Sequence, residues 1–156
     1  MKKLLVILIS FITLSAFADE KQEALDFFNS YVQGANSYSA TIADMYSPSA
    51  KIIRQIVKPD GTTANATTDT ATYIKQMKIG QAGAKLRNYK NTYTNVVAEP
   101  FDGGYKISSL RQPTGETYKL KTYMVVKKQP NGKWLIVEEM MQTKVQTLLR
   151  YADKEQ

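Results

Sequence analysis

The 156-residue chain has no cysteine and no histidine. The first absence rules out disulfides and leaves no thiol for a lipid anchor, so stability must come from packing. The second removes His-dependent triads, His-containing zinc sites and the usual general base near neutral pH. Any chemistry would have to run on carboxylates, tyrosines, lysines or hydroxyls. No metal site and no cofactor is read from the residues. Long apolar runs are missing too: Leu4 to Leu14, interrupted by Ser10 and Thr13, falls short of the roughly 18 residues a spanning helix requires. Tryptophan occurs once.

What that short run does fit is a leader. Met1-Lys2-Lys3, the apolar stretch and Ser15-Ala16-Phe17-Ala18 together have the form of a secretory signal peptide, with cleavage expected after Ala18. The chain is thus expected to divide into a signal peptide (1–18), one domain (19–145) and a charged tail (146–156). The mature protein would be periplasmic or secreted, without stable membrane insertion. The net charge of +7 drops when Lys2 and Lys3 leave. The remaining mild basicity is no nucleic-acid signature, and no nucleic-acid partner is expected.

Apolar positions Ala24, Phe28, Tyr31 and Ala35 recur at helical spacing and predict a helix from Glu20 to Tyr38. A short helix follows over Ala40 to Tyr46, ended by Ser47-Pro48-Ser49, and then a strand from Ala50 to Val57. Pro59-Asp60-Gly61 turns the chain into a short returning strand. Thr67-Thr68-Asp69-Thr70 offers capping oxygens for a helix carrying Ala71, Ile74 and Met77, with Gly80 and Gly83 expected to end it. From there the period changes from helical to alternating. Strands are expected at Arg87 to Glu99, Tyr105 to Arg111, Tyr118 to Lys128 and Lys133 to Val145, separated by Gly-containing turns. Helices followed by hairpins imply an α+β fold, helices on one face of a curved antiparallel sheet.

This order resembles the nuclear transport factor 2-like superfamily, the cone also seen in ketosteroid isomerase and polyketide-cyclase-like proteins. Asp44-Met45-Tyr46-Ser47-Pro48-Ser49-Ala50-Lys51-Ile52 is similar to that family's short helix running into its first strand. Asn131-Gly132-Lys133-Trp134-Leu135-Ile136-Val137 is similar to the segment that opens its last strand. The resemblance implies helices capping the concave face, a last strand near the middle of the sheet, and a homodimer through the convex face.

With Trp134 facing the cone, alternation places Ile136, Glu138 and Met140 beside it and Leu135, Val137, Glu139 and Met141 behind. Glu138 would then be a carboxylate in apolar surroundings, a candidate acid or base. The alternative is a strand bent at Glu138-Glu139 with both carboxylates solvated. Asp44 is a second candidate, against a solvent-facing place on its short helix. Tyrosines number ten, and those on strands are either framework or ligand contacts. The candidate ligand wall is Phe28, Tyr31, Tyr73, Tyr93, Trp134 and Met140. Lys119, Lys121, Lys127 and Lys128 form either a basic stripe or a solvated face.

These residues favour a non-catalytic protein that binds a small apolar molecule in the cone or an envelope partner on the sheet. The alternative is an acid–base enzyme of the isomerase, dehydratase or hydrolase kind, using carboxylate and tyrosine. Fold alone does not choose between them.

Overall fold

The structure, a computed structural model, describes residues 2–153, with side chains of the first helix described from residue 18 onward. Residue 1 of the expected leader and the last three residues of the expected tail therefore lie outside the described residues, as do the side chains of residues 2–17. Helix α1 (Lys2–Asn36) is followed by a 3₁₀ turn (Ala40–Met45), strands β1 (Tyr46–Val57) and β2 (Thr63–Asp69), helix α2 (Thr70–Leu86), and strands β3 (Asn91–Phe101), β4 (Gly104–Pro113), β5 (Leu120–Lys128) and β6 (Trp134–Thr143). A second 3₁₀ turn covers Gln146–Tyr151. Among the described residues no helix is long and apolar enough to cross a membrane.

The strands form one curved sheet in the order β2-β1-β6-β5-β4-β3. All neighbours are antiparallel except β1 and β6, which run parallel. The sheet is therefore mixed rather than wholly antiparallel as expected. Helix α1 packs across β3 and β4, and α2 lies against β1 and β2. Between helices and sheet sits a core that includes Phe28, Tyr31, Ile52, Ile107, Val126, Trp134 and Ile136.

Local chemistry explains the boundaries that differ from expectation. Helix α2 runs through Gly80 and Gly83, because a helical glycine weakens a helix by only about 1 kcal/mol relative to alanine and does not stop it. Its end is set by Asn88, which takes a left-handed φ of 48°. The Tyr89 N–H bonds Ala84 O and the Asn88 N–H bonds Lys85 O, the paired bonds of a Schellman cap. Residues 87–90 are consumed by this ending, so β3 starts at Asn91 rather than Arg87. At the other end of α2, Asp69 caps the helix by accepting from the Thr72 N–H at 2.9 Å. Strand β1 begins at Tyr46, ahead of the expected Ala50. Pro48 is accommodated where the register against β6 slips between Tyr46↔Ile136 and Lys51↔Glu138.

A second slip decides which side chains enter the cone. Along β5 and β6, Val126 faces Ile136 but Val125 faces Glu138, leaving Val137 as the extra residue of a β-bulge. Trp134 and Ile136 point inward as expected, and beyond the bulge the inward residues are Glu139 and Met141. The expectation that Glu138 and Met140 face the cone is thereby reversed.

The β3–β4 turn is tight. Asp102 and Gly103 take φ values of 48° and 73°, as a two-residue hairpin loop needs, and a Cβ on Gly104 would lie 2.2 Å from Val126 O. Gly104→Ala is expected to destabilise the fold by about 1–3 kcal/mol, since rigid backbone must move. Gly103→Asn, which tolerates the left-handed region, should cost much less. Urea unfolding of the two variants checks this, and equal losses would contradict it.

Candidate functional site

The inner face of the bulged strand carries a carboxylate that is wholly buried: Glu139 is 0% exposed. Its oxygens are fully engaged. Arg54 Nη1 donates to Oε1 at 2.8 Å, while Tyr31 Oη donates to Oε2 at 3.2 Å and Tyr46 Oη makes a second, shorter bond to the same oxygen. Alternation along β1 places Ile52 and Arg54 on the face of Glu139, and the parallel register sets Ile52 opposite it. Tyr31 comes from α1 and Tyr46 from the first residue of β1. From α2, the ring of Tyr73 lies 4.9 Å from the Arg54 guanidinium carbon and 5.4 Å from the Tyr46 ring.

Burial, reinforced by the Glu139 charge, pushes the Tyr31 and Tyr46 phenols well above the ordinary tyrosine value. Burial, followed by Glu139, also raises Tyr73, although Arg54 pulls it down. Burial works against the Arg54 charge, but Tyr73 and Glu139 opposite outweigh it and hold the guanidinium protonated. The cluster is thus an anion, a cation and neutral phenols. Every oxygen of Glu139 faces a donor.

Beside this cluster opens a cavity of about 370 Å³ between α1, α2 and the inner sheet face. Tyr31, Ile42, Tyr73, Met77, Tyr93 and Met141 give it apolar walls. One end is polar, formed by Arg111, Asn91, Gln142 and Tyr89. Arg54 and Arg111 supply its only charged lining groups among the described residues. Burial raises the Tyr93 phenol despite the nearby Arg111 charge, so this wall too stays neutral.

Of the residues the sequence nominates, Tyr31, Tyr73 and Tyr93 meet on this cavity. Phe28 instead packs behind Tyr93, ring centroids 5.5 Å apart. Trp134 closes the opposite end of the core, tilted on Tyr105 at 6.2 Å, and its Nε1 donates to Glu23 at 3.1 Å. Met140 lies on the convex face opposite Ile53. Glu138, half-buried on that same face, accepts a 2.6 Å bond from Tyr123. Asp44 is exposed on the first 3₁₀ turn. The lysine stripe is broken up by individual partners, Lys127 with Asp102 and Lys128 with Glu23, each at 2.7 Å. Among the described residues no cluster of three or more acidic groups is placed to hold a metal ion.

Sequence reasoning missed Glu139, Arg54 and Arg111. For the arginines a signal was present: Ile52-x-Arg54-x-Ile56 and Tyr105-x-Ile107-x-Ser109-x-Arg111 put a guanidinium on an otherwise inward parity. For Glu139 no signal lies in the strand itself, because the bulge inverts parity.

No protein-family profile matches the sequence, and no curated protein is significantly similar to it. Its fold is the NTF2-like, or cystatin-like, cone. An NTF2-like protein of unknown function from Pseudomonas putida is similar over 80% of this chain and 87% of its own, with TM-score 0.64 and 10% identity. An NTF2-like protein with a cystatin-like fold from Novosphingobium aromaticivorans has TM-score 0.60 and 11% identity over 86% of this chain and 88% of that one. A Catenulispora acidiphila protein in complex with S-DNPA has TM-score 0.53 and 11% identity over 86% of this chain and 98% of that one.

Two predictions follow from the buried cluster. Arg54→Met leaves Glu139 charged without its counterion and should cost about 3–5 kcal/mol, whereas the double replacement Arg54→Met/Glu139→Met should recover much of that loss. A urea-unfolding double-mutant cycle measures the coupling; additive losses would show that the pair does not act as a unit. The second concerns alkaline pH. A phenol whose folded-state pKa is raised keeps its proton only in the folded chain. The stability contributed by Tyr31, Tyr46, Tyr73 and Tyr93 is therefore complete below about pH 10 and lost as pH rises beyond it. Phenolate absorbance should rise in two phases, exposed tyrosines first and these four only with unfolding. A single phase in the folded protein would contradict the burial.

Proposed function

We propose that this protein is a non-catalytic binder of a small, mainly apolar molecule held in the cone. The observation that carries the reading is the pairing of a preformed cavity of about 370 Å³ with a carboxylate that is already spent. The volume falls within the range of roughly 300–1,000 Å³ usual for small-molecule sites, and aromatic and aliphatic walls with a few polar groups are their usual lining. A general base needs an oxygen free to take a proton from a bound substrate. Glu139 has none to offer, and Glu138 and Asp44 lie away from the cavity, which weighs against the acid–base alternative.

The leader-like N-terminus supports an exported, periplasmic or secreted site of action. A homodimer through the convex face is supported by Val97, which lies on that face opposite Ser108 and is 49% exposed.

Native mass spectrometry of the protein purified from its own cell envelope tests this reading. The expected result is extra mass of a small molecule that disappears on denaturation and from the cavity-filling variant Ala84→Phe, and the same spectrum reads the subunit count. If the folded protein carries no adduct and its melting temperature is unmoved by any of a panel of apolar small molecules, the binding reading fails.

A further inference from the structure

The inner sheet face holds two arginines in opposite electrostatic states. Arg54 meets the Glu139 carboxylate at 2.8 Å. Arg111, from β4, is only 7% exposed and forms no ion pair among the described residues. Its Nη1 donates to Asn91 Oδ1 at 2.8 Å and to Tyr89 Oη at 3.4 Å, and its Nη2 donates to the Gln142 carbonyl at 2.8 Å. Its Nε is buried with no acceptor at all. Every partner is a neutral dipole. A guanidinium removed from water without a counterion is costly, and the cost falls when an anion arrives.

Position turns this imbalance into a recognition element. Arg111 lines the cavity together with Asn91, Gln142 and Tyr89, while Tyr31, Tyr73 and Met77 line its apolar part. The cavity is therefore amphipathic, with a positive end and an aromatic body. The planar fork of arginine suits a carboxylate in particular, because it can offer parallel N–H groups to both oxygens. Tyr89, 39% exposed, stands at the solvent side of that end, where a carboxylate can approach.

We infer that the ligand is a small monocarboxylate with an apolar body, its carboxylate paired with Arg111 and its body against Tyr73 and Met77. This rests on the binding reading above and narrows the ligand from apolar to anionic and amphiphilic.

The test uses matched probes on the full protein: 3-phenylpropionate against 3-phenylpropionamide, and octanoate against octanamide, titrated by calorimetry at neutral pH. Each acid should bind roughly tenfold or more tightly than its amide, the gain expected of a charge-assisted bond over a neutral one. Arg111→Met, which keeps the apolar stem, should abolish that ratio, and Arg111→Lys should keep part of it. If Arg111→Met fails to fold, the wild-type and Arg111→Lys ratios still decide. Acids and amides that bind equally well would overturn the carboxylate inference while leaving the cavity a binding site. Failure of all four probes, with melting temperatures unmoved across a wider panel, would overturn the inference and the binding reading together.

Discussion

The structure is organised around one buried negative charge. Glu139 is held by a guanidinium from the same sheet and by phenols that arrive from α1 and from the start of β1, and Tyr73 of α2 lies against the guanidinium and one of those phenols. Each layer of the fold therefore contributes to one electrostatic cluster. Such a cluster adds little net stability over a well-packed apolar core, but it penalises any arrangement in which one member is missing. The helices are thereby positioned on the sheet by hydrogen-bond geometry, where apolar packing alone would tolerate sliding.

Much of the architecture was readable in the residues because the two periodicities separate cleanly. Ala24, Phe28 and Tyr31 repeat every three to four positions, and the chain after Asn91 alternates every two, so the α+β order could be written down directly. The interior of the site could not. Alternation is a local rule, and the extra residue at Val137 exchanges inward and outward sides for the rest of β6. Simple alternation points Trp134 and Ile136 inward, as they are, but then sets Glu138 inside in place of its buried neighbour Glu139. Likewise Gly80 and Gly83 looked like stops, while the actual stop, Asn88, depends on a backbone conformation that composition does not disclose. The parallel pairing of β1 with β6 was also invisible, since no local pattern tells a strand which distant neighbour it will have.

The two arginines show how similar local sequence acquires different meaning through partners. Both lie on inward parity in alternating strands, and both are removed from most solvent. One is neutralised within the chain and becomes part of the scaffold; the other is surrounded only by amide, hydroxyl and carbonyl oxygens. That contrast separates a structural part of the cavity lining from a receptive one.

The parallel pairing at the centre of the sheet has a kinetic side. Strands β3 to β6 pair with one another in sequence order and can form as a meander through short loops. Strand β1 has to reach β6, with Arg54 and Glu139 85 positions apart along the chain. Closing so long a loop carries an entropic cost that local hairpins avoid. The cone cannot be completed before its last strand has emerged from the ribosome. Until then the first half of the chain lacks both its central neighbour and the counterion of Arg54, and so has reason to remain open while synthesis proceeds.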